Sequence, residues 1–175
     1  NVEMNFDKVY YVNNVSFKML PVSAGTFEMG ATTEQKEGAD ADEYPVKSIF
    51  VDDYYIGQTE VTQELWEAVM GNNPSNNKAP QKPVENVSWN DCQNFIRKLN
   101  KLTGDNFRLL TEVEWEYAAR GGNKSQGYKY SGSNDIDNVA HYKDSSREQT
   151  NEVKTKQPNE VGVYDMSGNV WEWCS

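Results

Sequence analysis

Several things are scarce in this sequence. It has one histidine, His141, and two cysteines, Cys92 and Cys174, in 175 residues. No Ser/His/Asp constellation can be assembled around His141, which is read as a surface residue. The cysteines have no metal-binding spacing and leave the redox compartment open. Basic residues are outnumbered, 17 Lys and Arg against 27 Asp and Glu, for a formal net charge of −10. That balance excludes the basic footprint of a nucleic-acid binder and argues against docking on anionic lipid. It fits solubility, cation binding, or an uncharged or basic partner. No apolar run approaches the length of a membrane span. There is no Gly-rich phosphate loop, no Walker sequence and no HExxH. Neither an initiator methionine nor a secretory leader opens the chain, so it is read as processed or trimmed.

Aromatics, by contrast, are plentiful, with ten Tyr, six Phe and five Trp. The modest apolar fraction of 37% therefore does not signal disorder. The length suffices for one domain with a core.

Residues 1–13 show no clear period and read as a lead-in arm. Val15, Phe17 and Met19 alternate with Ser16, Lys18 and Leu20, the pattern of a strand that Pro21 ends or bends. Gly25 to Gly30 reads as a short strand. Thr32 to Tyr44 is loop carrying Glu34, Glu37, Asp40, Asp42 and Glu43, a solvated acidic cluster without the ligand order of an EF-hand. Val46 to Ile56 is strand-like. Thr62 caps a helix over Gln63–Met70 that Gly71 stops. Ser88 and Asp91 open a second helix, Trp89–Thr103, whose buried stripe holds Cys92, Phe95, Ile96, Leu99 and Leu102. On that stripe Cys92 is a small core residue rather than a reactive thiol. Phe107–Leu110 reads as a strand. Thr111 and Glu114 form a capping box for a third helix ending at Arg120-Gly121. Residues 123–160 are long and polar, and a loop of that length is functional or held by something such as an ion.

The tail, GVYDMSGNVWEWCS, is the densest stretch. Asp165 to Asn169 reads as a turn, and Val170 to Trp173 as a strand. Alternation would put Trp171 and Trp173 on one face, seeking a core, and Glu172 on the other, facing Asp165 or solvent. Two carboxylates beside turn carbonyls offer hard oxygen ligands that suit Ca²⁺, while a plain structural role for Glu172, capping amides or pairing with an Arg, stays open.

GTFEMG, IGQTEVT, PVENVSW, FRLLTEVEWEYAARGG and DMSGNVWEW occur in that order. Together they resemble the formylglycine-generating-enzyme, or sulfatase-modifying-factor, family over about Val15 to Ser175. The resemblance implies an α+β, variant C-type-lectin-like fold with much irregular chain, an arm over 1–13, and one domain over 14–175 lacking the family's C-terminal segment. It implies calcium held by Asp165, Gly168, Val170 and Glu172. A second metal site would use Asn138 and Val139, with further ligands in a loop that does not align. Leu110 stands where the family has Pro, and His141 where it has an aromatic.

The family's enzymes oxidise a sulfatase cysteine to formylglycine with oxygen and a copper ion on two cysteines, because soft Cu(I) needs thiolates. Those cysteines follow the WEW motif in the family, and no such pair occurs up to Ser175. Neither Cys92 nor Cys174 stands at the catalytic place. No catalytic residue is assigned, and copper is expected only with a cysteine segment beyond this chain. The favoured function is a non-catalytic binding domain for a protein or small-molecule ligand. The alternatives are the copper oxidase, and an assembly protein completed by another chain or a second copy along an open strand edge.

Overall fold

The computed structural model describes residues 6–32, 45–142 and 150–175. The acidic cluster from Glu34 to Glu43 lies outside the described residues.

The chain begins with a hairpin. Strand β1, Lys8–Val12, turns back through Asn13 and Asn14 into β2, Val15–Val22, with Val12 opposite Val15. Both asparagines have positive φ, at 47° and 68°, which is what a two-residue turn between twisted strands demands. The arm expected from sequence thus contributes an edge strand, and the Asn-Asn pair was its cue. Pro21 sits inside β2 rather than ending it. Among the described residues, the strand from Leu20 to Val22 pairs only with β5, Tyr54–Gly57, since β1 pairing stops at Met19. A residue without an N–H is tolerated where one side of the strand is open. The sheet order is β1-β2-β5.

A second, two-stranded sheet pairs β3, Gly25–Met29, with β4, Lys47–Val51. The single strand expected over 46–56 is split at Asp52-Asp53, where Asp53 Oδ1 accepts the Ala24 N–H at 2.6 Å and anchors the turn between the sheets.

Helices α1, Gln63–Met70, and α2, Trp89–Thr103, keep their expected bounds. Thr62 and Ser88 accept N–H groups of their first turns, Asp91 completes a capping box, and Gly71 and Gly104 close the ends in the left-handed conformation. Helix α3, Glu112–Ala119, has the predicted Thr111–Glu114 box. A one-turn helix α4, Ile136–Val139, interrupts the long polar stretch. This mixture of short antiparallel strands and helices is an α+β architecture.

Two apolar clusters hold the elements. One joins Leu20, Val22, Ile56, Tyr117, Ala118, Val163 and Met166, and so ties β2 and β5 to α3 and the tail. The other joins Val12, Leu65, Trp66, Val69, Phe95 and Leu99 between α1, α2 and the hairpin, with Trp66 stacked on Phe95 at 5.0 Å.

Two expected strands are irregular. Residues 107–110 and 170–173 carry no ladder. The tail is fixed by isolated bonds instead: Ser175 N–H to the Leu110 carbonyl at 2.9 Å, Trp173 Nε1 to the Val87 carbonyl at 3.0 Å, and Trp89 Nε1 to the Cys174 carbonyl at 3.1 Å. Without a ladder the alternation argument fails. Trp171 is fully exposed and Trp173 half-exposed, so the two indoles do not enter the core.

Candidate functional site

Two carboxyl groups of the tail, Asp165 and Glu172, come within electrostatic reach of Glu60 from a distant part of the sequence. Glu60 lies between β5 and α1 and is 8% exposed, and Asp165 in the turn before the WEW segment is 5% exposed. Asp165 has a positive φ of 61°, which fits the turn read from sequence. Each acid divides its oxygens. Glu60 Oε2 accepts from the Asn169 carboxamide at 3.0 Å, and Asp165 Oδ2 accepts from the Lys154 N–H at 3.0 Å. Glu60 Oε1 and Asp165 Oδ1 are buried with no hydrogen-bond partner among the described residues. Leaving a carboxylate oxygen bare inside a protein costs the desolvation of that atom, so the pair calls for a cation or a proton.

Glu172 is the third. As a residue it is exposed, but its carboxyl is crowded and accepts from the Trp115 indole N–H. Burial pushes its pKa up, the Trp115 bond opposes that, and Asp165 adds to it. Glu60 is pushed up to about 9, first by burial and then by the Glu172 and Asp165 charges, against the pull of Asn169 and the Val170 N–H. Burial also raises Asp165, with Lys154 N–H and His141 acting the other way. Burial is the first cause of all three upward shifts, so without a cation the site favours protons over three buried negative charges.

The backbone here is fixed by close approach. A Cβ on Gly168 would meet the His141 carbonyl oxygen at 2.3 Å, and the Asn169 N–H donates to that same oxygen at 2.9 Å. Gly168 therefore sits where the His141 backbone leaves no room for a side chain. Among the described residues, no three His, Cys, Asp or Glu side chains converge closely enough to hold a metal by themselves. The expected set is two side chains, Asp165 and Glu172, plus two carbonyls, Gly168 and Val170. The bare Asp165 oxygen fits a hard divalent ion, as an all-oxygen donor set would. Glu60 escaped the sequence reading because it is far from the tail in the chain. Its one signal was its place in IGQTEVT, a Glu stranded between a strand and a helix cap.

Asn138 and Val139 lie on α4. The Asn138 carbonyl accepts from Gln157 N–H at 2.9 Å, and the Lys156 ammonium sits 2.6 Å from the neighbouring Asp137 carbonyl. His141 is half-buried, its Nε2 at 2.6 Å from Thr155 Oγ1. Cys92 and Cys174 are both free. Burial pushes both thiols up, so that neither is an activated thiolate by itself.

Beside the carboxyl group lies an apolar cavity of about 330 Å³, between the two core clusters. Trp66, Cys92, Phe107, Trp115 and Trp173 line it, with Glu60 at one side. The Trp66 indole N–H is buried without a hydrogen-bond partner among the described residues. The volume falls within the range of small-ligand sites. No described helix is long and apolar enough to cross a membrane.

Comparison with known proteins places this geometry. The sequence profile of the sulfatase-modifying factor enzyme 1-like domain matches residues 12–175. A protein of Paenibacillus barcinonensis named chaperone protein LppX is 38% identical over 181 residues, covering 75% of this chain and 65% of the relative. A formylglycine-generating enzyme of Streptomyces coelicolor is 36% identical over 110 residues, covering 55% of this chain and 32% of its own. The chain thus spans less than two thirds of the length of either. Among solved structures, variable protein 1 of Treponema denticola superposes with a TM-score of 0.81 at 34% identity, over 96% of this chain and 76% of that one.

Proposed function

The chain belongs to the sulfatase-modifying factor enzyme 1-like family, and from that premise we propose that it is a non-catalytic binding domain on a calcium-stabilised scaffold. The observation that carries this reading is the wall of the apolar cavity. Trp173 and the half-exposed Trp89 stand at the tail with the fully exposed Trp171, and both Trp171 and Trp173 line the cavity. Exposed indoles beside an apolar recess are the composition of a recognition surface. Asp165, Glu172 and the Gly168 and Val170 carbonyls would hold the calcium, with Glu60 turned toward the same place. When bound, the ion supplies charge neutralisation that lets the acids pack without protons. The protein's own residues do the rest: Asn169 orients Glu60, the Lys154 N–H orients Asp165, and Trp115 holds Glu172.

A protein ligand is favoured by the relative named as a chaperone. The copper oxidase remains the second reading, favoured by the relative named formylglycine-generating enzyme. It would require a cysteine pair other than Cys92 and Cys174. Oxygen uptake with a cysteine-containing sulfatase peptide and added copper separates the two. The binding-domain reading expects no uptake above a protein-free control; turnover by these 175 residues would overturn it.

A further inference from the structure

The segment from residue 150 to 156 crosses the surface as a strap, and its main chain is bonded to the carboxyl cluster at two points. Lys154 N–H donates to Asp165 Oδ2 at 3.0 Å. Asn151 N–H donates to the Asn169 carboxamide oxygen at 3.0 Å, while the nitrogen of that carboxamide donates to Glu60 Oε2 at 3.0 Å and to the Asn151 carbonyl at 3.2 Å. Each acid therefore gives one oxygen to the strap, directly or through Asn169, while its other oxygen makes no hydrogen bond among the described residues. Between these points Val153 is buried, and its N–H donates to the Gln81 carbonyl at 2.9 Å. Val153 and Lys154 form part of the cavity wall.

We propose that Asn169 is a positioning residue that makes filling of the cation site and docking of this strap one event. The proposal rests on the calcium reading above. An ion held by Asp165 and by the Gly168 and Val170 carbonyls would fix the turn on both sides of Asn169, and with it the carboxamide that Glu60 and Asn151 share and the Asp165 oxygen that meets Lys154. Without the ion that turn is free to shift, and the two anchors lose their aim. Because linkage is reciprocal, a docked strap also raises affinity for the ion. The cavity wall at Val153 is then complete only when the site is filled.

The test is residue-resolved amide exchange of the whole chain with calcium or EGTA, alongside tryptophan-sensitised terbium luminescence as an independent measure of ion binding. With calcium at about 100 times its dissociation constant, exchange at Asn151 and Lys154 should slow by up to about a hundredfold. In Asn169→Ala the calcium-dependent protection at Asn151 should vanish; its loss at Lys154 as well would show that Asn169 carries the whole strap. Protection at Asn151 that persists in this variant overturns the role of Asn169. If terbium binds the unaltered chain but neither amide responds, the coupling is wrong while the cation reading stands. If no ion binds, the cation reading falls and the coupling with it. Should Asn169→Ala fail to fold by circular dichroism, the comparison on the unaltered chain still decides the coupling.

Discussion

Glu60 shows how a single side chain can be placed by forces that its neighbours in sequence do not reveal. Its carboxyl is buried, one oxygen is bare, and the charges that act on it belong to Glu172 and Asp165 at the far end of the chain. Replacing it with glutamine keeps the shape and removes a carboxyl group that burial and two neighbouring acids already disfavour as an anion. Glu60→Gln should therefore leave the calcium-free melting temperature undiminished, yet weaken calcium binding at least about tenfold, or about 1.4 kcal/mol. Calorimetric titration with calcium, paired with thermal melts, checks both halves. Asp165 and Glu172 were legible in advance because they bracket a turn of Asp, Ser, Gly and Asn. Glu60 was not, because nothing local marks a strand-end carboxylate as buried. The orientation of Trp171 was misjudged for a related reason: alternation places side chains only where a ladder exists to impose it.

At the scale of elements, the helices were the most legible part. Helices α1 and α2 announce themselves twice, by a cap and by an apolar stripe, and both signals are local; α3 announces itself by its capping box, and the one-turn α4 was not foreseen. The strands were harder. β1 hides its register in exposed tyrosine and lysine, and only the turn asparagines disclose it. The 107–110 and 170–173 segments have strand composition without a strand neighbour, a matter that composition cannot decide. The capping box of α3 carries its own prediction. Glu114 is held below the ordinary carboxylate range by Arg108, with the Thr111 N–H acting in the same direction. The Arg108 contact is 2.5 Å long. A depressed folded-state value means stability that is present above the ordinary glutamate pKa and lost as pH falls through the folded one. Glu114→Gln keeps the box, which accepts glutamine, but removes the titrating charge. Urea midpoints measured from neutral pH down into the acid range should therefore fall less steeply for the variant than for the parent.

The whole molecule is two apolar clusters with a space between them, held by long-range hydrogen bonds more than by sheet. The cavity between them leaves Cys92 and Phe107 only partly buried although both lie on core faces. Filling that space should stabilise the fold whatever the natural ligand. Cys92→Met adds length to an apolar wall without a polar atom to satisfy, and gains of about 0.5–2 kcal/mol are typical of cavity filling. A raised urea midpoint together with reduced binding of an apolar fluorescent dye would bear this out; an unchanged midpoint would mean that the wall cannot admit the longer chain.

At this same scale the calcium claim is the one on which the rest hangs, because it explains how a chain with so little ladder closes around three acids. The most direct measurement is a calorimetric titration of the EGTA-stripped 175-residue chain with calcium, followed by melting with and without the ion. The account predicts saturable binding and a higher melting temperature in calcium. No heat of binding and superimposable melting curves would contradict it.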